Sequence, residues 1–261
     1  MRYKFSKYQG AGNDFILIHD PKESFCDKDY KLISKLCDRR FGIGADGLML
    51  LRPSKVNDFT MLYFNANGYE GTMCGNGGRC LVAFAKKQGV INKLKNIKFN
   101  AVDGEHIADI LDDNSISLKL IDVSKVVKKL GGYFVETGSM HHVEYVRGLV
   151  DKDVITRGRE IRYHDVYSPH GCNVNFIESF DFGRISIRTY ERGVENETLA
   201  CGTGSAAAAI VHHSEGNVFD TYHIQARGGN LKVTFDYEDN CYRNVRLVGP
   251  ADFVYKGEIE A

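Results

Sequence analysis

The chain is written twice, and that duplication limits its fold more than any other feature. Asp58-Phe59-Thr60-Met61-Leu62-Tyr63-Phe64 alternates as a strand, enters the turn Asn65-Ala66-Asn67-Gly68, and comes to Cys74-Gly75. Arg184-Ile185-Ser186-Ile187-Arg188-Thr189-Tyr190 alternates likewise, passes Glu191-Arg192-Gly193, and comes to Cys201-Gly202. Helix-like stretches follow each cysteine, Cys80–Lys87 in the first half and Ala206–His213 in the second. Upstream, Gly10-Ala11-Gly12-Asn13-Asp14 leads into Phe15–Ile18, as Gly138-Ser139-Met140-His141-His142 leads into Val143–Val146. The offset is 127 residues from Cys74 to Cys201 and 128 from Asn13 to His141, so two homologous halves are expected.

Period-2 alternation dominates both halves, as in Ile116–Leu120 and Leu231–Phe235, with few helical stretches. That predicts an α+β fold of two pseudo-symmetric domains rather than a wound parallel sheet. The halves meet between Lys119 and Gly131, and the segment from Gly249-Pro250-Ala251 returns to the first. The expected domains are therefore 1–121 with 249–261, carrying Cys74, and 122–248, carrying Cys201. Twin domains with matching loops would put both cysteines at the cleft between them, a common ligand position.

Lysine plus arginine equals aspartate plus glutamate, 34 each, so nothing calls for nucleic acid or an anionic membrane as partner. Apolar runs such as Leu48–Leu51 are too short to span a bilayer, and the opening Met1–Lys7 does not lead into the apolar core of a secretory signal. Seven cysteines form no disulfide framework, which favours a reducing cytoplasm. Cys26, Cys37, Cys172 and Cys241 lack partners at zinc spacing, and these, with Cys80, are read as small packing residues.

Gly42-Ile43-Gly44-Ala45-Asp46-Gly47 matches a dinucleotide fingerprint, yet charged Asp38-Arg39-Arg40 precedes it instead of an apolar strand. Gly202–Ala207 fails in the same way. Cysteine–histidine nucleophilic catalysis through Cys201 and His141 would leave the duplicated Cys74 without a role. A redox pair would want Cys-x-x-Cys, which is absent, and a non-catalytic amino-acid binder would have no need of both cysteines.

A cysteine where a helix begins meets free N–H groups and the positive end of the dipole, which favours thiolate. Two such groups suit the inversion of a carbon bearing one hydrogen: one takes a proton from one face, the other delivers a proton to the opposite face. Helix-end electrostatics contributes only ~0.3–2 kcal/mol, against barrier reductions of ~8–23 kcal/mol. Preorganised donors worth ~3–4 kcal/mol each must assist, and the amides around Gly75-Asn76 and Gly202-Thr203 are the candidates. The scheme needs no pyridoxal cofactor and no metal.

At these motifs the chain resembles the diaminopimelate epimerases. Gly10–Phe15, Arg40–Gly47, Phe64–Gly68, Cys74–Cys80, Asn173-Val174-Asn175-Phe176, Tyr190–Gly193 and Cys201–Gly204 follow that family's pattern in order, as does Gly249-Pro250-Ala251. The resemblance implies a cofactor-independent isomerase of lysine and cell-wall biosynthesis that interconverts LL- and meso-diaminopimelate. It implies Cys74 and Cys201 as the acid/base pair, and in each domain a strongly curved mixed or antiparallel sheet around a central helix. Asn13, Asn65, Asn173 and Arg192 would hold the distal end of the amino-acid substrate. Glu191 would bind the reacting ammonium or orient the thiols, with His141 nearby.

Two departures bear on the distal end. Many members of the family carry glutamine where Gly47 stands, and Gly-Asn-Pro-His where this chain has Gly138-Ser139-Met140-His141. Proline and hydroxyproline racemases share the two-cysteine logic but have no use for a distal arginine with several asparagines. A homodimer is one assembly this reading leaves open.

Overall fold

The computed structural model describes residues 2–260, which divide into two compact units. One runs to Leu118 and resumes at Gly249; the other is Lys119–Val248. In the first unit the strands are β1 (Arg2–Gly10), β2 (Asn13–His19), β3 (Gly47–Arg52), β4 (Phe59–Asn65), β5 (Ile97–Ala101), β6 (Gly104–Ile110) and β7 (Ile116–Lys119). Its helices are α1 (Tyr30–Cys37) and α2 (Gly75–Lys87). The second unit holds β8 (Val126–Lys129), β9 (Gly132–Glu136), β10 (Met140–Tyr145), β11 (Asn173–Phe180), β12 (Arg184–Glu191), β13 (Asn196–Thr198), β14 (Tyr222–Ala226), β15 (Gly229–Glu238) and β16 (Cys241–Gly249). Its α-helices are α3 (Val154–Arg162) and α4 (Gly202–Ser214). The last strand, β17 (Asp252–Glu260), returns to pair antiparallel with β1.

The strand pairings repeat the duplication. From β17 through β1, β2, β3, β4, β5, β6 to β7 the neighbours run antiparallel, antiparallel, parallel, antiparallel, parallel, antiparallel, antiparallel. From β8 through β9, β10, β11, β12, β14, β15 to β16 the same order recurs. The strands of each unit pair in a mixed pattern, and the chain is α+β with two repeated domains.

Register corrects one detail of the sequence alignment. Phe15 pairs with Gly47 where β2 meets β3, and His141 pairs with Asn173 where β10 meets β11. Leu48 opposes Phe64, as Val174 opposes Tyr190. Strand equivalence is therefore an offset of 126, so Asn13 corresponds to Ser139 and Phe15 to His141, not Asn13 to His141. The offset of 127 between the cysteines shows one extra residue between strand and cysteine in the second half.

Each unit is built around the helix that follows its cysteine. The helix α4 reads Ala206-Ala207-Ala208-Ala209-Ile210-Val211, all buried, and packs against β8, β9, β10, β11, β12, β14 and β15. A helix apolar on every side belongs inside a sheet that curves around it. The helix α2 buries Cys80, Leu81, Val82, Phe84 and Ala85 and packs on β1, β2, β3 and β6. Both helices start immediately after their cysteines, five and four residues before the stretches legible from propensity. The glycines that hide these starts are demanded by packing: a Cβ on Gly77 would collide with Met49 Cε, and one on Gly204 with Asn175 Oδ1.

The outer face of the first sheet packs Ile16, Ile18, Leu48, Leu50 and Phe64 onto Ile33 and Leu36 of α1. In the second unit Val174, Phe176 and Tyr190 pack with Val154 and Ile161 of α3. Cys37, Cys80 and Cys172 are buried, as expected for packing thiols. Cys26 is instead exposed and Cys241 half-buried, since each lies outside the core-facing pattern of its segment. Gly42 and Gly44 lie in the loop after α1, and Gly47 opens β3, so the dinucleotide-like motif precedes a strand instead of joining strand to helix. Among the described residues no helix is long and apolar enough to cross a membrane.

Candidate active site

Cys74 and Cys201 occupy the same local structure. Each is the N-cap of a 13-residue helix, with φ/ψ of −101°/121° at Cys74 and −119°/115° at Cys201. The first intrahelical bonds are also alike, Gly78 N to Cys74 O at 2.7 Å and Ser205 N to Cys201 O at 2.9 Å. Helix geometry leaves the three N–H groups between cap and first bond without an intrahelical acceptor. These belong to Gly75, Asn76 and Gly77 in one unit and Gly202, Thr203 and Gly204 in the other. Each thiol therefore sits where the dipole and the amides favour negative charge.

Around Cys74 the polar groups form a chain. Asn76 Nδ2 donates to Asn13 Oδ1 at 2.6 Å, and Asn13 Nδ2 donates to Asp46 Oδ2 at 3.0 Å. Arg39 joins Asp46 at 2.7 Å to both oxygens of Asp14, at 2.6 and 3.0 Å. Lys7, nearly fully buried, pairs with Asp14 at 2.8 Å and donates to Gly44 O. Burial would raise the Asp14 carboxyl, but hydrogen bonds from Arg39 and Lys7 and their charges outweigh it and hold it at about 2. Beneath the first turn of α2, Arg79 Nη2 holds Asn76 Oδ1 at 2.9 Å. Asn13 and Asn76 thus stand oriented by charged groups behind them.

Around Cys201 the hydrogen-bonded side chains are uncharged. Asn175 Oδ1 accepts from Thr189 Oγ1, which commits its Nδ2 to donate to His142 O and His141 Nδ1, each at 3.0 Å. His141 Nδ1 is then an acceptor, so its proton is on Nε2, within 2.9 Å of Ser139 Oγ and 3.0 Å of Thr203 Oγ1. Thr203 Oγ1 lies 3.5 Å from Cys201 Sγ. Complete burial, aided by the nearby Arg192 charge, pushes His141 down to about 3. The imidazole is neutral at working pH and links to the thiol through Thr203.

Other expected residues distribute around these two centres. Asn173 accepts Arg192 N–H at 2.9 Å and donates to Ser139 Oγ at 3.2 Å. The Arg192 guanidinium reaches His170 O. Glu191 accepts from Thr198 Oγ1 at 2.8 Å. Asn65 is exposed at the end of β4, its main chain bonded to Tyr69 and Gly68. Gly47 is buried and leaves no room for a side chain: a Cβ would lie 2.5 Å from Phe64 O and 2.5 Å from Tyr63 Cε2.

Sequence reasoning missed Asp46, Arg79 and Asn175. Asn175 was findable, since it lies two residues beyond Asn173 on one strand and so on the same face. Asp46 is hidden because the asparagine it orients is 33 positions away, and Arg79 because a basic residue inside a helix carries no sign that it will be buried, with one partner 171 positions away.

Two repeated domains, each with strands in a mixed pattern around a central helix, make a fold shared with several solved structures. A PhzF-family phenazine biosynthesis protein from Bacillus anthracis superposes with a TM-score of 0.79 at 15% identity, over 100% of both chains. A hydroxyproline epimerase from Agrobacterium vitis gives 0.68 at 13% identity, over 99% of this chain and 92% of that one. Sequence gives the narrower assignment. The family model described as diaminopimelate epimerase matches residues 5–125 and 133–254. Diaminopimelate epimerases from Flavobacterium psychrophilum and Chlorobaculum tepidum are 48% and 42% identical, over 98% and 96% of this chain and 100% and 98% of theirs. The chain belongs to the diaminopimelate epimerase family, whose members are isomerases.

Proposed function

We propose that this protein interconverts LL- and meso-diaminopimelate, in the supply of lysine and cell-wall precursors, with Cys74 and Cys201 as the two acid/base groups. The observation that carries the reading is the matched pair of helix N-caps, both cysteine, both with extended backbone and three amides following. One thiolate takes the α-proton, forming S–H as the C–H bond breaks. The second thiol gives its proton to the opposite face of the carbon and becomes the thiolate. Charge building on the substrate carboxylate meets the amides of Gly75-Asn76 and Gly202-Thr203, at ~3–4 kcal/mol for each well-placed donor. Glu191 binds the reacting ammonium, and His141, neutral, orients Thr203 toward Cys201. Asn13, Asn65, Asn173 and Arg192 read the ammonium and carboxylate of the distal centre, as amides and a guanidinium suit. Gly47 supports that end by packing and makes no side-chain contact.

The test is proton NMR of LL-diaminopimelate in deuterated water with reduced protein. Loss of the α-hydrogen signal with appearance of the meso isomer, abolished by Cys74→Ala and by Cys201→Ala, supports the proposal. An untouched LL isomer, with trans-4-hydroxyproline exchanged instead, would sink it.

A further inference from the structure

The two cysteines share a backbone but not an electrostatic environment. Arg79 is the fifth residue after Cys74 and is fully buried; the fifth after Cys201 is Ala206. The Arg79 fork grips the start of its own helix, with Nη2 on Asn76 Oδ1 at 2.9 Å and Nη1 near Gly75 O at 3.4 Å, while Nε points to Pro250 O at 3.3 Å. All three acceptors are neutral. Among the described residues no carboxylate lies within ion-pair distance of it. Buried charges are ordinarily paired, because leaving one uncompensated is costly.

Burial draws Arg79 below the usual arginine range, and the acidic groups that act against this are the thiols of Cys80 and Cys74. Cys80 does not supply the charge, for burial pushes its thiol up to about 12. The remaining titratable groups on the packed elements are engaged or neutral. Burial raises Tyr8 on β1 to about 12, and Lys7 pairs with Asp14 of β2, which also holds Arg39. Arg52 on β3 pairs with Asp20 and Asp27. On β6, Glu105 pairs with Lys98, His106 with Asp103, and Asp109 accepts from Asn96 N–H. Asp252 on β17 accepts from Gln9 and its charge acts on Cys80, not on Arg79. Cys74 is left as the group able to supply the counter-charge.

We infer that Arg79 is a positioning residue that makes Cys74 the thiolate, and leaves Cys201 the thiol, in the resting enzyme. The inference rests on the two-thiol reading above. The position equivalent to Arg79 is Ala206, and the side chains hydrogen-bonded beside Cys201 (Thr203, Ser139 and His141) are uncharged, with the Arg192 guanidinium, half-exposed, acting on His141. The resting enzyme therefore accepts the isomer whose α-hydrogen is given to Cys74. Turnover forms S–H at Cys74 and breaks S–H at Cys201, so the enzyme leaves each cycle in the opposite charge state. It returns by reacting with the other isomer or by exchanging protons with water.

The test is peptide-resolved iodoacetamide alkylation against pH, followed by mass spectrometry so that Cys26 and Cys241 are scored separately. Cys74 is titrated in a Cys201→Ser background and Cys201 in Cys74→Ser. The expected midpoint for Cys74 is at least one pH unit below that for Cys201, about a tenfold difference in thiolate at low fraction. Arg79→Gln should raise the Cys74 midpoint by a unit or more and leave that of Cys201 in place. Arg79→Lys, which keeps the charge but not the fork, should retain most of the difference; a merely structural role would make Lys and Gln alike. Equal wild-type midpoints, or a shift of both cysteines together, would overturn the inference, and the wild-type comparison stands even where Arg79→Gln fails to fold. Alkylation does not depend on epimerase turnover, so failure of the functional proposal is read separately.

Discussion

Thr203 Oγ1 lies 3.0 Å from His141 Nε2 and 3.5 Å from Cys201 Sγ, so one hydroxyl joins a buried imidazole to a candidate acid/base thiol. The imidazole is itself fixed by Asn175, and its Nε2 proton leaves the threonine hydrogen free to turn toward sulfur. Thr203→Val keeps the shape and removes that donor. A hydrogen bond to a charged partner is worth about 1.5–3 kcal/mol, so turnover that passes through a Cys201 thiolate should slow at least tenfold. Thr203→Ser should recover most of the rate. Equal kcat for Thr203→Val and wild type would show that the hydroxyl plays no part.

His141 also predicts a pH dependence of stability. Burial, with Arg192 adding to it, lowers its folded value to about 3 from an ordinary 6.5. The unfolded chain binds a proton there between those values and the folded chain does not, so this contribution is complete above pH 6.5 and lost as pH falls toward 3. The slope approaches ~1.4 kcal/mol per pH unit for one proton. His19, His212 and His213 shift the same way, so the diagnostic is a difference. Urea unfolding of His141→Gln and wild type at pH 7 and pH 5 should give a smaller acid loss in the variant. Parallel losses would refute the assignment.

Asp14 works lower on the scale. Its folded carboxyl stands at about 2 because Arg39 and Lys7 outweigh burial. Its stabilisation is full above the unfolded value near 3.8 and disappears as pH drops toward 2. Asp14→Asn leaves the Lys7 ammonium, 7% exposed, without its partner. Removing one member of a buried pair costs about 3–5 kcal/mol, and Asp46 nearby keeps this case toward the lower end. Denaturant melts at pH 7 should show the loss, and the variant's acid limb between pH 4 and pH 2 should flatten. An unchanged midpoint at pH 7 would mean that Lys7 finds another counter-charge.

Much of this architecture was legible because duplication states the same design twice. Alternation located β4 and β12, and the paired Cys-Gly turns located α2 and α4. The exact helix starts were hidden, because Gly75, Gly77, Gly78, Gly202 and Gly204 are poor helix formers; Gly77 and Gly204 answer to Met49 and Asn175, residues remote in sequence, and Gly78 to Met73. The site was half legible. Asn13, Asn76, His141, Asn173 and Thr203 stood out as motif residues, and they do meet neighbours of their own unit. The charged support behind them (Lys7, Arg39, Asp46 and Arg79) is spread across strand, loop and helix positions where sequence shows only ordinary solvated charge.

Gly47 supplies the last prediction, since it departs from the glutamine common in the family. A Cβ there would stand 2.5 Å from both Phe64 O and Tyr63 Cε2. The tyrosine ring can be trimmed by mutation, but the carbonyl belongs to the paired strand β4, where Gly47 opposes Asn65. Gly47→Gln should therefore destabilise by about 1–3 kcal/mol, as overpacking typically does. Adding Tyr63→Ala should recover only part, because the main-chain contact remains. The measurement is the urea midpoint of the two variants beside wild type. A Gly47→Gln protein of unchanged midpoint would mean that β3 and β4 separate at this point at little cost, and that the glycine reflects substrate reading instead of packing.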